Sequence, residues 1–340
     1  DLYRKLSLEV VNKFPSTERG AQAIYWLALR TEDVGDKIDL YKRSFTEFPP
    51  EKFGWSSSSM PSLFDIYLER SPAQAVEFAR QMKALNKDER DVKSWGERET
   101  LAELVIRVKS LMSENKAKEA EEAAAAIIIP RYSSTTEFIN LLKAKVAHAA
   151  GNTEVAYKNL LNYFSAEPID KVYSTLLAYG KKMGKAETTV REDVHANRYA
   201  TAVPATPFSL FAYITHDTIS LDEFKGKVIL LTYWFPGCGP CRGEFPNFEN
   251  VIRKFKGKDV VYLAINIAPE QDEYVVPFVR SSGYSFIPLK DEPEKRGNLT
   301  ARGAPTNYLL DRDGNIIFKN FRTDDRNERT LELMIQSLLE

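Results

Sequence analysis

The sequence predicts a multidomain chain in which an all-α domain of helical hairpins precedes an α/β domain with a central mixed sheet. Its 340 residues exceed what one compact core usually holds, so about two domains are expected. Apolar residues recur at helical spacing up to about residue 185, whereas strand-like and helix-like segments alternate after residue 207. We expect domains at 1–190 and 207–340, joined by a linker at 191–206.

Composition excludes several classes of protein. Hydrophobic residues make up 43% of the chain, charged residues 28%, and the formal net charge is -1, which argues against disorder and against a nucleic-acid partner. The longest apolar run, 228–235, is strand-sized, far below the roughly 18 residues of a membrane span. We therefore expect no membrane span in this chain.

The first residue and the cysteines bear on compartment. The chain begins at Asp1 without methionine, so we expect that a signal peptide, a lipid-anchored leader or residues at a cloning boundary were removed. Both cysteines fall in one motif, which leaves no structural disulfide framework. Cysteine counting by itself leaves the compartment open.

Four helix pairs and an extra helix are predicted in the first domain. They are 21–30 with 34–48, 61–70 with 72–85, 99–113 with 117–129, 135–150 with 153–164, and a last helix at 169–183. The pairs repeat at roughly 40 residues, as in a solenoid of helical hairpins. The best copy runs from Gly151 through Ala156 to Pro168 and resembles the second half of a tetratricopeptide repeat.

The function of the helical domain stays open at this point. A solenoid face that docks a partner and an irregular bundle without any ligand are both compatible with the sequence. The serines at 56–59 are interpreted as a loop between hairpins, and His148, among alanines, as a packed or surface helix residue. His195 in the linker and His216 lack neighbours at metal-ligand spacing, so no metal site is expected.

The second domain is predicted from alternating element types. A small hairpin (208–214 and 217–220) precedes strands at 228–235 and 260–267, helices at 239–256 and 271–281, a hairpin at 307–310 and 316–318, and a closing helix. That helix places Leu331, Met334, Ile335 and Leu338 on one stripe, which should pack on the sheet.

The two cysteines lie where the strand at 228–235 gives way to a helix. Cys238 is expected at the positive end of the helix dipole, which lowers the pKa of its thiol and makes it a nucleophile. Cys241 lies one turn later on the same face, where it can attack a mixed disulfide formed at Cys238. The pair is predicted to be a dithiol/disulfide switch.

The residues from about 200 to 340 resemble the thioredoxin fold, and within it the thiol-disulfide oxidoreductases of the TlpA and ResA type. The resemblance rests on the following residues: Cys238-Gly239-Pro240-Cys241 with Trp234 before it, Pro246 in the following helix, the entry strand beginning at 226, and Ala304-Pro305-Thr306 before a strand. It implies that Pro305 follows a cis peptide bond, packs against the cysteines and leaves a backbone edge free for the substrate chain.

Glu244, three residues after Cys241, matches a glutamate of these families. The resemblance implies that it manages protons as Cys241 leaves or attacks, although an ordinary glutamate on the helix surface is the alternative. Two residues depart from relatives: Thr232 stands where thioredoxin has a buried aspartate, and Gly237 where most relatives have tryptophan. These two departures concern the substrate surface and the proton path, and the cysteine pair itself is unchanged.

The function expected is a thiol-disulfide oxidoreductase that reduces disulfides in partner proteins. Its partners would be a disulfide-containing protein and a thiol electron donor, with no cofactor or metal beyond the Cys238/Cys241 disulfide, and the helical domain would position the partner. By resemblance its compartment is periplasmic or otherwise extracytoplasmic, often with a role in cytochrome c maturation. The alternatives are a non-catalytic adaptor and, with less support because Phe235 replaces the expected threonine, a peroxiredoxin-like peroxidase.

Overall fold

The computed structural model describes residues 2–130 and 133–340. Asp1, to which the expectation of a removed leader refers, lies outside them. The chain divides into two compact units, Asp1–Leu160 and Leu161–Glu340. The secondary structure of the first unit is entirely helical in its described part, and the second contains a mixed sheet, which confirms the predicted fold class.

Each of the first seven helices packs on the next one along the chain. The helices are α1 (Leu2–Lys13), α2 (Glu18–Arg30), α3 (Val34–Glu47), α4 (Gly54–Arg70), α5 (Pro72–Leu85), α6 (Glu89–Ser113), α7 (Ala117–Ala125), α8 (Thr136–Ala149) and α9 (Thr153–Ala166). Gly151, with φ of +94°, makes the turn before α9. Ala156 is fully buried, as the repeat pattern predicts.

The loop predicted at 56–59 is wrong, because these serines lie within α4. Ser56 and Ser59 are fully buried, and the Ser59 hydroxyl donates to the Ser56 carbonyl at 2.7 Å. The Ser56 hydroxyl donates to the Ser44 carbonyl at 3.2 Å, so both hydroxyls have acceptors and these small side chains can remain in a buried helix. Pro61, predicted as a helix start, lies inside the helix.

The structure has a helix where the sequence predicts the start of the linker. Helices α10 (Asp170–Lys182) and α11 (Glu187–Tyr199) belong to the second unit, and α11 covers residues assigned to the linker, including His195. Val190 and Val194, four residues apart, are buried and form the inner stripe of α11. The limits 1–190, 191–206 and 207–340 stay a prediction for independently folding domains.

Eight strands and three further helices complete the second unit in the described chain. They are β1 (Val203–Pro204), β2 (Ser209–Phe211), β3 (Thr218–Ser220), β4 (Val228–Trp234), α12 (Gly239–Lys254), β5 (Val260–Asn266), α13 (Asp272–Ser282), β6 (Ile287–Lys290), β7 (Thr306–Leu310), β8 (Asn315–Lys319) and α14 (Glu328–Leu339). Strands β2 and β3 form the predicted hairpin. The six-stranded sheet has the order β1-β8-β7-β4-β5-β6.

Strand β4 is central and buried along its whole length. It pairs in parallel with β5 and antiparallel with β7, and its side chains alternate between two hydrophobic clusters. Leu230 and Trp234 face the cluster to which α12, α13 and α14 contribute, whereas Leu231 and Tyr233 face the other. The predicted stripe of α14 is buried in the first cluster, which confirms that this helix packs on the sheet.

Candidate active site at the Cys238–Cys241 pair

The turn from β4 into α12 carries the cysteine pair. Cys238 is the N-cap residue of α12, and its Sγ accepts a hydrogen bond from the Cys241 N–H at 3.2 Å. The Cys238 carbonyl accepts from the Arg242 N–H at 3.1 Å, and the Cys238 N–H donates to the Phe235 carbonyl at 3.0 Å. This sulfur therefore lies at the end of the helix where unpaired N–H groups concentrate positive charge.

Cys238 and Cys241 form a disulfide, with Cα atoms 5.3 Å apart. Both residues are buried, whereas Gly237, Gly239 and Pro240 around them are exposed. The two small residues and the proline therefore form the surface through which a partner would approach the sulfurs. The structure holds the oxidised form of the predicted switch.

The loop before β7 lies beside this turn. The peptide bond between Ala304 and Pro305 is cis, which confirms the feature implied by the resemblance. Ala304 packs against the hydrophobic cluster that contains both cysteines. Thr306 pairs with Tyr233, so Pro305 comes level with the end of β4.

Two other predicted supporting residues belong to the scaffold. Trp234 is fully buried, with its ring centre 5.2 Å from that of Phe245 and 5.3 Å from that of Phe286. It anchors the strand end from within the core and offers no surface to a substrate. Pro246 lies inside α12, where it cannot donate a backbone hydrogen bond.

Glu244 is buried, with 5% of its surface exposed, so it is not an ordinary surface glutamate. Its carboxylate accepts from Asn307 Nδ2 at 3.1 Å and from the Thr323 N–H at 3.2 Å, and it pairs with Arg322 Nε at 3.0 Å. Burial raises the pKa of Glu244, while Arg322 and the two hydrogen bonds oppose that rise. Burial therefore makes this carboxylate, one helical turn from Cys241, easier to protonate than an exposed glutamate.

Arg322 links this carboxylate to the cis-proline loop. Its Nη1 donates to the Pro305 carbonyl at 2.9 Å while its Nε pairs with Glu244. Asn307, fully buried in β7, also donates to the Phe321 carbonyl at 2.9 Å and lies opposite Thr232 of β4. Thr232, which stands where thioredoxin has a buried aspartate, therefore pairs with the residue whose side-chain amide contacts Glu244.

Gln271 lies over the glycine that replaces the usual tryptophan. Its Oε1 accepts from the Gly237 N–H at 2.7 Å, and a Cβ added at Gly237 would lie 3.0 Å from the same oxygen. The amide side chain therefore takes up space beside Cys238 that a larger residue at 237 would need. Sequence reasoning did not identify Gln271, Asn307 or Arg322, although a polar residue within the apolar strand β7 was a signal for Asn307.

Other kinds of site receive no support. Within residues 2–130 and 133–340, no group of three or more His, Cys, Asp or Glu side chains is arranged to hold a metal ion. None of the helices in the same ranges has the length and apolar character needed to cross a bilayer.

Comparison with known proteins places the second unit in a family. Residues 201–335 match the family described as Redoxin. The thioredoxin-like protein YneN of Bacillus subtilis is 31% identical over 133 residues, which cover 38% of this chain and 77% of YneN. The thiol-disulfide oxidoreductase ResA of Bacillus thuringiensis (strain Al Hakam) is 34% identical over 100 residues, covering 29% of this chain and 57% of that protein.

One solved structure aligns with part of the chain. The thiol:disulfide interchange protein, thioredoxin family protein from Chlorobium tepidum TLS aligns over 41% of this chain and 97% of its own, with a TM-score of 0.37 and 21% identity. The chain spans little more than half the length of the ResA protein it matches. Through the match to YneN, of which 77% is covered, the chain belongs to the thioredoxin-like family, and its second unit is similar to the ResA thiol-disulfide oxidoreductases.

Proposed function

We propose that this protein exchanges thiols and disulfides with partner proteins, and that it works as a reductant of their disulfides. The observation that carries the proposal is the position of Cys238. Its sulfur caps α12, accepts the Cys241 N–H and is bonded to the Cys241 sulfur. A sulfur so placed is stabilised as a thiolate once the disulfide is reduced.

The reaction begins from the dithiol form. The Cys238 thiolate attacks one sulfur of the partner's disulfide, a mixed disulfide forms, and the partner's other sulfur leaves as a thiolate that takes up a proton. Cys241 then loses its proton and attacks the Cys238 sulfur, which releases the second partner sulfur. The partner disulfide gains two electrons and the Cys238–Cys241 pair loses two. A thiol electron donor restores the dithiol.

Glu244 would accept the proton that Cys241 loses. A carboxyl group whose pKa is raised by burial can hold a proton closer to neutral pH than an exposed one. It follows Cys241 by three residues in α12 and so lies on the same side of the helix. Thr232 cannot act as a base, and this gives Glu244 a larger share of the proton transfer.

The helical unit would position the partner. Large apolar side chains remain exposed on its first two helices, among them Leu2 at 71%, Leu6 at 49% and Trp26 at 37%. The two helices pack on each other, and neighbouring exposed apolar groups are typical of protein-docking surfaces. By family resemblance, we place the protein in the periplasm or otherwise outside the cytoplasm, with a role such as cytochrome c maturation or repair of mis-oxidised proteins.

Trapping of mixed disulfides tests the order of the two cysteines. A Cys241→Ser variant should hold partners on Cys238 as mixed disulfides, because nothing resolves them, whereas Cys238→Ser should hold none. The traps are read on non-reducing gels and released by a reducing agent. Equal trapping by both variants, or full disulfide-reducing activity in either one, would contradict the proposal.

The direction of electron flow is tested by the reduction potential of the pair. A strongly negative potential, near that of thioredoxin at about -270 mV, fits a reductant, and one near about -120 mV fits an oxidant. Docking is tested with Leu6→Lys, which should raise KM for a protein disulfide and leave turnover of a small aromatic disulfide unchanged. Equal effects on both substrates would argue against a docking role for this face.

A further inference from the structure

A cavity of about 260 Å³ lies in the second unit, away from the cysteine pair. Its walls come from the end of α9, from α10 and α11, and from α14. Aromatic and aliphatic side chains form much of the lining, among them Phe164, Tyr173, Val194 and Leu338. A cavity whose surface is mostly apolar, with polar and charged side chains along part of it, has the composition of a small-molecule site.

Arg198 of α11 is the polar group that sets this cavity apart. Only 8% of its surface is exposed, and its Nε donates to the Ser165 carbonyl at 3.2 Å. Its guanidinium lies over the Phe318 ring, 5.1 Å from the ring centre. In the described part of the chain, no carboxylate comes within ion-pair distance of it. Burial lowers the pKa of Arg198 to about 10, so the group still carries its charge at neutral pH.

The other charged groups of the lining are exposed or already paired. Arg191 forms an ion pair with Glu187 at 2.8 Å, and Asp170 forms one with Arg329 at 2.9 Å. His195 is exposed and stacks on Tyr199, with ring centres 4.2 Å apart. Glu340 is exposed and attracts Arg198 from beyond ion-pair distance. Arg198 is therefore the buried charge of the cavity that lacks a direct counter-ion.

We propose that this cavity binds a small organic anion, with its apolar body against the rings and its anionic group on the Arg198 guanidinium. A buried charge without a counter-ion is unfavourable, and an anion that enters would remove that penalty. The planar guanidinium can also donate two parallel hydrogen bonds to a carboxylate. This inference is independent of the thiol chemistry, since no residue of the cysteine site lines the cavity.

Displacement of a fluorescent anion tests the proposal on the full chain. Anilinonaphthalene sulfonate brightens in apolar sites and serves as reporter. Octanoate and octanol then compete for the site, since they share a chain length and differ in charge. Octanoate should displace the reporter at a concentration at least about tenfold below that needed for octanol, equivalent to about 1.4 kcal/mol. Equal displacement by both would overturn the proposal.

Three substitutions locate the site. Arg198→Met should weaken octanoate binding by at least about tenfold, and Arg198→Lys by less. The matched control Arg191→Met removes an arginine that is already paired, and should change binding by no more than about twofold. Unchanged binding in Arg198→Met, or the same loss in Arg191→Met, would overturn the proposal.

A second route avoids changing the buried charge. Leu333 lines the cavity and is half-buried, so Leu333→Trp should fill the space and abolish octanoate binding while Arg198 remains in place. Circular dichroism and a thermal melt confirm that each variant is folded. If Arg198→Met does not fold, Leu333→Trp and the comparison of octanoate with octanol decide the matter. Undiminished binding in a folded Leu333→Trp would place the anion elsewhere and contradict the proposal.

Discussion

Arg322 connects two parts of the site, because it forms an ion pair with the Glu244 carboxylate and donates a hydrogen bond to the Pro305 carbonyl of the cis-proline loop. Arg322→Met removes the charge and keeps most of the length of the side chain. At the observed separation of 3.0 Å, the attraction is about 1.4 kcal/mol for an effective dielectric constant of 80, and about 5.5 kcal/mol for one of 20. The Arg322 side chain is 52% exposed, so screening places the value near the lower figure.

The pH dependence of this coupling has a definite sign. The attraction exists only when Glu244 is ionised, and burial raises the pKa of Glu244. A carboxyl group whose pKa is raised on folding favours the folded state most below its unfolded pKa, about 4.3, and this contribution is lost as pH rises through the folded pKa. Arg322 limits that loss. The destabilisation caused by Arg322→Met should therefore grow from acid to alkaline pH.

Urea unfolding of four proteins measures the coupling. They are the parent, Arg322→Met, Glu244→Gln and the double variant, compared at several pH values. We expect a coupling energy of about 1–2 kcal/mol above the pKa of Glu244 and a smaller one at acid pH. Arg242→Met is the matched control, because Arg242 lies in the same helix without an ion pair to Glu244 in the described chain. A coupling that is absent, or that does not change with pH, would refute the reasoning.

Three further predictions concern single contacts. Gln271→Ala removes the acceptor of the Gly237 N–H, so it should lower the free energy of unfolding by about 0.5–1.5 kcal/mol and slow the reduction of a protein disulfide. If neither quantity changed, Gln271 would not support the turn that carries Cys238. Ile335→Ala empties a fully buried position and should cost about 2–5 kcal/mol in urea unfolding, whereas a loss below about 1 kcal/mol would contradict the packing of α14. Asp170→Asn breaks an exposed ion pair with Arg329 and should lower the free energy of unfolding by less than about 1 kcal/mol. A thermal melt at two salt concentrations checks this, and a larger loss of stability that salt does not change would contradict the view that the pair is solvated.

The local sequence pattern was sufficient to predict the strand β4 and the helix α12, between which the cysteines lie. The apolar run is buried as β4 because a hydrophobic cluster covers each face of the sheet there. Pro240 falls in the first turn of α12, where a missing N–H costs nothing. Pattern was insufficient for α11, where β-branched Thr188 and Thr189 suggested a linker. These residues occupy the first turn, and the buried valines further along determine the structure. Strand β6 was missed because it is short and contains Pro288.

The contacts of Glu244 could not be predicted from spacing. Asn307 and Arg322 are far from Glu244 in sequence. Asn307 reaches it because β7 pairs with β4 in one particular register, and Arg322 reaches it from the segment after β8. Gln271 likewise reaches Gly237 from the start of α13. Such contacts depend on tertiary packing, which no local rule encodes. The resemblance led to Glu244 and Pro305, and the structure adds the residues that hold them.

The pH dependence of alkylation of the two thiols tests the central claim most directly. In the reduced protein, the rate at which iodoacetamide modifies each cysteine follows its thiolate fraction, and peptide mass spectrometry separates Cys238 from Cys241. We predict that Cys238 reacts first, with a pKa below the value of about 8.5 for a free cysteine, and that Cys241 stays protected. Faster modification of Cys241, or a Cys238 thiol that titrates at or above the value of a free cysteine, would contradict the account.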